Sequence, residues 1–175
     1  MYAKFIVAAY MIYRVVDSEK HLRWFLWAHV LGCFYLSWIA FTSYSSGRFE
    51  EFGGPGINEA NAAANQLVTA ILVAASLFLA GGFRQKALTI GVMPFLVNAL
   101  VATASRSGFL AFCVGGLVFN FFTPRGIRGR VRVLSVLGVV LLLMVSGALY
   151  WQRVNTIAAG GQEIEGVDTG SGRLD

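Results

Sequence analysis

Charge is scarce in this chain. Only 13% of its 175 residues are Asp, Glu, Lys or Arg, about half the share expected of a soluble domain. With 57% hydrophobic residues and a mean hydropathy of +0.65, this excludes a water-soluble globular fold and indicates an integral membrane protein. Cysteine is equally sparse. Cys33 and Cys113 both fall inside apolar runs, where they act as small hydrophobes, so they support neither a disulfide framework nor a metal site. No proline- or serine-rich linker divides the chain, and no internal repeat is visible, so residues 1–175 are read as one domain. A small-x-small site is also missing after the first apolar run, where Asp17-Ser18-Glu19-Lys20-His21 follows, so that run is expected to be a spanning helix rather than a cleavable leader.

What is present is a series of apolar runs. Six can be drawn, at about 2–16, 22–41, 64–80, 87–103, 108–122 and 132–151. A crossing helix needs about 20 residues, with about 17 as a lower limit. The expected fold is therefore all-α, a polytopic transmembrane helix bundle of about six spans. The chain starts within an apolar run and stops in a polar one, which is the expectation for a fragment of a larger protein.

The Lys and Arg residues fix an orientation. One set of alternate connections holds nine of them (Arg14, Lys20, Arg23, Arg84, Lys86, Arg125, Arg128, Arg130 and Arg132) with two acids, a net charge of +7. The other set holds Lys4, Arg48, Arg106, Arg153 and Arg173 with seven acids, a net charge of −2. The first side is expected to be cytoplasmic, and six spans alternate without contradiction. The net charge of +5 then needs no nucleic acid as partner. The run from Arg125 to Arg132 is read as a topology determinant facing anionic membrane lipids. Trp24, Trp27, Trp38 and Trp151 all lie near span ends, where aromatic anchoring accounts for them.

The informative residues gather on the outward side. A loop over 42–63 carries Arg48, then Gly53-Gly54-Pro55-Gly56, then Asn58, Glu59 and Asn61. Asn58 could cap the next helix, whose first amides favour anions. Asn58, Asn61 and Asn65, spaced three and four apart, share one helical face, and the same spacing also suits ordinary bonding between helices. The turn Thr103-Ala104-Ser105-Arg106-Ser107-Gly108 places a guanidinium among hydroxyls at the membrane boundary. A guanidinium there can take two phosphate oxygens at once, and it can equally be an arginine snorkelling to the headgroups. A glycine-rich polar tail over 152–175 ends with Gly170-Ser171-Gly172-Arg173.

Thr103-Ala104-Ser105-Arg106-Ser107-Gly108 resembles the T-x-S-R-x-G/A motif of the O-antigen ligase and polymerase superfamily. Glu59-Ala60-Asn61 with Ala64 stands where that family shows Asp-Pro-Asn followed by an alanine, downstream of an arginine matching Arg48, and Gly170-Ser171-Gly172-Arg173 is similar to its later S-G-R segment. The resemblance covers roughly residues 40–175. It implies a bacterial inner-membrane, multi-pass glycosyltransferase of roughly ten to twelve spans, of which this chain is a part. Such an enzyme is metal-independent and uses no cofactor. It moves a glycan from an undecaprenyl-diphosphate carrier to a glycan or lipid A core acceptor, on the periplasmic side and with inversion. On this resemblance Arg48 and Arg106 are the catalytic pair that neutralises the diphosphate leaving group. Arg173, Asn58, Glu59, Asn61 and Ser105 are substrate-binding, and 152–175 begins a large outward loop that should carry a histidine. His21 and His29 both lie toward the cytoplasmic side, so the 175 residues alone are expected to be inactive. Two other readings stay open. A transporter or flippase would use midplane polar sites, for which Pro94 with Asn98 is the sole hint, and a non-catalytic scaffold of a polysaccharide-export system would need neither.

Overall fold

The computed structural model describes residues 3–43, 60–146 and 151, and every regular element among them is helical. The helices are α1 (Ala3–Val15), α2 (Glu19–Ser43), α3 (Ala60–Ala80), α4 (Phe83–Ala102), α5 (Arg106–Phe122) and α6 (Arg128–Val145). Each overlaps one of the apolar runs, with different ends: α2, α3 and α5 enclose theirs, whereas the runs at 2–16, 87–103 and 132–151 reach past α1, α4 and α6. Ser18 starts α2 before the apolar run does, its Oγ accepting the backbone N–H of His21 at 3.3 Å. Helix α3 begins four residues ahead of its run, because Ala60, Asn61, Ala62 and Ala63 are compatible with helix although not all are apolar.

Three helices, α2, α3 and α4, are long and apolar enough to cross a membrane. Helix α5, at 17 residues, is shorter. Helix α6 opens on Arg128, Arg130 and Arg132 before its apolar stretch. Helix α1, at 13 residues, extends only about 20 Å at 1.5 Å per residue, less than the roughly 30 Å hydrocarbon layer.

Helix α3 is the hub, packed against α2, α4, α5 and α6. Its sequence explains this. Ala60, Ala63, Ala64, Ala70 and Ala74 are all buried, and together with buried Leu67, Ile71 and Leu77 they form one face at three- and four-residue spacing. Small side chains let neighbouring backbones approach closely, which is how helices associate where lipid leaves no hydrophobic drive between them. Leu67, Leu96, Leu100, Val30 and Val97 fill the centre. The buried hydroxyls inside the helices stay satisfied locally: Ser37 donates to the Cys33 carbonyl at 2.8 Å, and Thr89 to that of Gln85 at 2.9 Å. Helix α4 runs unbroken through Pro94, so there is no discontinuous segment at the place a transport site was considered.

The outer faces carry large apolar side chains, among them Leu31 and Tyr35 of α2, Ile90 of α4, Leu117 of α5 and Val136 of α6. In water such a surface would aggregate. Around a bundle whose central helices are long enough to span, it is the surface that faces lipid, and the protein is a membrane protein.

The tryptophans divide. Trp24 stays exposed, as an interfacial anchor would. Trp38 joins an aromatic cluster between α2 and α4, its ring 5.5 Å from Phe95, which also meets Phe34 edge-on at 5.4 Å. Interfacial anchoring therefore describes only part of what Trp38 does.

Candidate functional site

The site is assembled where α4 turns into α5. Thr103 ends α4: its N–H donates to the Ala99 carbonyl at 3.1 Å and its Oγ1 to that of Leu100 at 2.6 Å. The chain then reverses through Ala104 at φ +45°. A left-handed alanine costs roughly 1–2 kcal/mol, so surrounding contacts must hold it there. One is the Ala104 N–H to the Val101 carbonyl, at 2.9 Å.

The rest come through Ser105, which returns to extended backbone and caps α5, its Oγ accepting the Gly108 N–H at 3.1 Å. The same hydroxyl donates to Asn61 Oδ1 on α3 at 2.8 Å and lies 3.0 Å from Ser107 Oγ. A hydroxyl has one proton and two lone pairs. With that proton on Asn61, Ser107 must be the donor to Ser105. All three bonding positions of Ser105 are then used inside the protein, and the residue is only 2% exposed. Its part in this geometry is to tie the start of α3 to the start of α5.

Gly108 makes that tie possible. A Cβ there would come within 2.7 Å of Ala64 Cβ and 3.2 Å of Leu100 Cδ1. The two helix starts therefore meet at backbone distance. At the rim, Phe109 meets the Trp151 ring edge-on with centroids 6.5 Å apart, so residue 151 lies at this same end of the bundle.

On this frame Arg106 is the first residue of α5 and is half-buried. No acidic side chain stands in the first turn of α5. The helix dipole and the guanidinium are thus both positive at one point, an arrangement suited to an anion. Asn61 is exposed beside it, and Asn65, one turn further along α3, is exposed as well. Of the residues singled out in the sequence, the structure brings together Asn61, Ser105 and Arg106. Arg48, Asn58, Glu59 and Arg173 lie outside the described residues, as do most of the 42–63 loop and the whole 152–175 tail.

The histidines belong to other surroundings. His21 Nδ1 lies 2.6 Å from Asp17 Oδ1 in the first turn of α2, and this hydrogen bond holds the exposed Asp17 carboxyl below its ordinary value. His29 is two turns further along α2, with its Nε2 at 4.0 Å from Cys33 Sγ. At 1.5 Å per residue, His29 lies about 20 Å from the far end of α2 at Ser43. Among the described residues no three of His, Cys, Asp and Glu gather as a metal site.

The sequence did not reveal the left-handed Ala104, the contact of Gly108 with Ala64, or the Ser105–Asn61 bond across 44 positions. The small-residue spacing of α3 was the one signal that could have pointed to the second. No family model, curated protein or solved structure matches the chain.

Proposed function

We propose that this chain is part of a polytopic membrane glycosyltransferase resembling the O-antigen ligases and polymerases. It moves a glycan from an undecaprenyl-diphosphate carrier to a sugar acceptor at the outer face of the bacterial inner membrane. In this reading there are about six spans, the short α1 crossing only where the bilayer thins around it, with the basic end cytoplasmic and the Ser105–Asn61 end outward. The observation that carries it is the placement of Arg106. One arginine is fixed at the positive end of α5, at the turn that packs on α3, by a serine whose hydroxyl is wholly committed to holding that turn.

The chemistry follows from charge. As the glycosidic bond to the diphosphate breaks, negative charge grows on the leaving phosphate oxygen. A preorganised guanidinium and helix N-terminus stabilise that charge more in the transition state than in the ground state. Arg106 supplies this from the α4–α5 turn and Arg48 from the outward loop. Asn61 orients the donor, with Asn58, Glu59 and Arg173 as further contacts, and Ser105 positions the turn.

The test is transfer of a lipid-linked glycan in proteoliposomes containing the natural-length protein. Arg106→Ala and Arg48→Ala should each lower the transfer rate about 100-fold or more, the usual cost of removing one preorganised charge donor, with insertion and abundance unchanged. Undiminished transfer by both variants overturns the assignment.

A further inference from the structure

From residue 60 to residue 146 the chain contains seven basic residues and not one Asp or Glu. Six of the seven, Arg84, Lys86, Arg125, Arg128, Arg130 and Arg132, fall in the α3–α4 and α5–α6 connections or the helix turns that follow them. They therefore share the end of the bundle opposite Arg106. Among the described residues none of these six cations forms an ion pair with a carboxylate.

At the same end an open groove of about 460 Å³ lies between α3 and the end of α5, lined by residues that include Ser76, Leu79, Phe119, Phe122, Thr123 and Ile127. Its volume is in the roughly 300–1,000 Å³ range of sites for small ligands. Its walls are almost wholly apolar, with Phe122 and Ile127 exposed. Arg125 and Arg128 are the chain neighbours of its lining residues Pro124 and Ile127. Arg128 is half-buried and tethered there, with one Nη donating to the Thr123 carbonyl at 3.3 Å and its buried Nε without a partner among the described residues. The helix dipole does not explain three arginines over the first five residues of α6. The N-terminus of a helix repels cations, and no side chain caps this one.

We propose that this groove binds one anionic glycerophospholipid, an acyl chain lying against Leu79, Phe119 and Phe122 and the headgroup phosphate held by Arg125 and Arg128. Charge complementarity selects the occupant. Among the described residues no carboxylate pairs with these arginines, and the walls are apolar and open to the membrane. A soluble anion would satisfy only the rim, and a zwitterionic lipid would bring a cation of its own to it. The inference rests on the chain being a membrane protein and is independent of the glycan-transfer reading.

The test is lipid retention by the full chain in phosphatidylcholine nanodiscs titrated with phosphatidylglycerol, read by native mass spectrometry after release into detergent. Phosphatidylglycerol should be retained at least tenfold over phosphatidylcholine. Arg125→Gln with Arg128→Gln should weaken that retention about twenty-fold, on the scale expected for two basic residues at a lipid surface. Ser76→Trp, which fills the groove and leaves every charge in place, should weaken it as well. If the arginine variant fails to fold, the tryptophan variant still decides. Equal retention of the two lipids, or retention unchanged in the variants, overturns the proposal. So does displacement of phosphatidylglycerol by inorganic phosphate at matching concentration, which would mark a free-anion site.

Discussion

The contact of Gly108 with Ala64 gives the sharpest prediction. Gly108→Ala places a methyl 2.7 Å from Ala64 Cβ. Ala64 is fully buried, and its Cβ is fixed to the α3 backbone, so it cannot rotate away as a longer side chain would. The helices must separate by several tenths of an ångström, and the Ser105–Asn61 bond lies at the same contact. Overpacking of this kind costs about 1–3 kcal/mol, and a stretched hydrogen bond adds up to about 1 kcal/mol. Against this, alanine is the better helix former by about 0.8–1 kcal/mol.

Gly116→Ala in the same helix separates the two effects, since a Cβ there meets nothing within 4 Å. Both variants gain the same helix propensity, so their difference isolates packing at about 1–4 kcal/mol. Thermal unfolding in one detergent should place Gly116→Ala slightly above the wild type. Gly108→Ala should melt lower than Gly116→Ala by roughly 2–4 °C per kcal/mol. If Gly108→Ala melts at or above Gly116→Ala, α3 and α5 do not meet at this glycine and the account of the site is wrong.

Ser105→Ala removes a helix cap and the bond to Asn61 together, and should lower stability by about 1–3 kcal/mol in the same melts. Ser105→Thr, which keeps a hydroxyl, should recover most of the loss, and equal melting of all three proteins would refute the role of Ser105 in tying α3 to α5. Asn120 Nδ2 donates to Ser135 Oγ at 2.6 Å, bridging α5 and α6. A double-mutant cycle with Asn120→Ala and Ser135→Ala should return a coupling of about 0.6 kcal/mol, with about 1.7 kcal/mol as the upper end, and zero coupling would remove the bridge. At the start of α2 the folded Asp17 carboxyl titrates below its ordinary value of 3.8 because His21 bonds to it. A lowered folded pKa contributes stability that is present above pH 3.8 and lost as pH falls through the lower value. Asp17→Asn should therefore flatten the acid limb of helix-start stability, measured by amide exchange at Leu22, by removing the contribution present above about pH 4 while leaving the value at lower pH unchanged. An acid limb unaltered in Asp17→Asn would assign it to another group.

Much of the helical layout was legible in the amino acids, because long uncharged runs in lipid can satisfy their backbone only as helices. The ends were less legible. Hydropathy marks where the bilayer lies, whereas hydrogen bonding continues into polar residues, which is why α2 reaches back to Glu19 and α3 to Ala60. Which face of each helix is buried was not legible at all. In a membrane both the core and the lipid side are apolar, so Leu117, exposed, and Leu67, buried, look alike in the sequence.

The candidate site divides along the same physical line. The sequence by itself determined that the chain is helical and membrane-bound, that its charge is lopsided, and that an arginine sits in a polar turn between two apolar runs. Those properties depend on local composition and on the cost of leaving backbone or charge in lipid. Only the tertiary structure decided that Ser105 reaches Asn61, that Gly108 lies on Ala64, and that Ser76 and Leu79 of α3 share an apolar groove with Phe122 and Ile127. Each joins residues far apart in the chain, and pairings of that kind are set by how the helices pack.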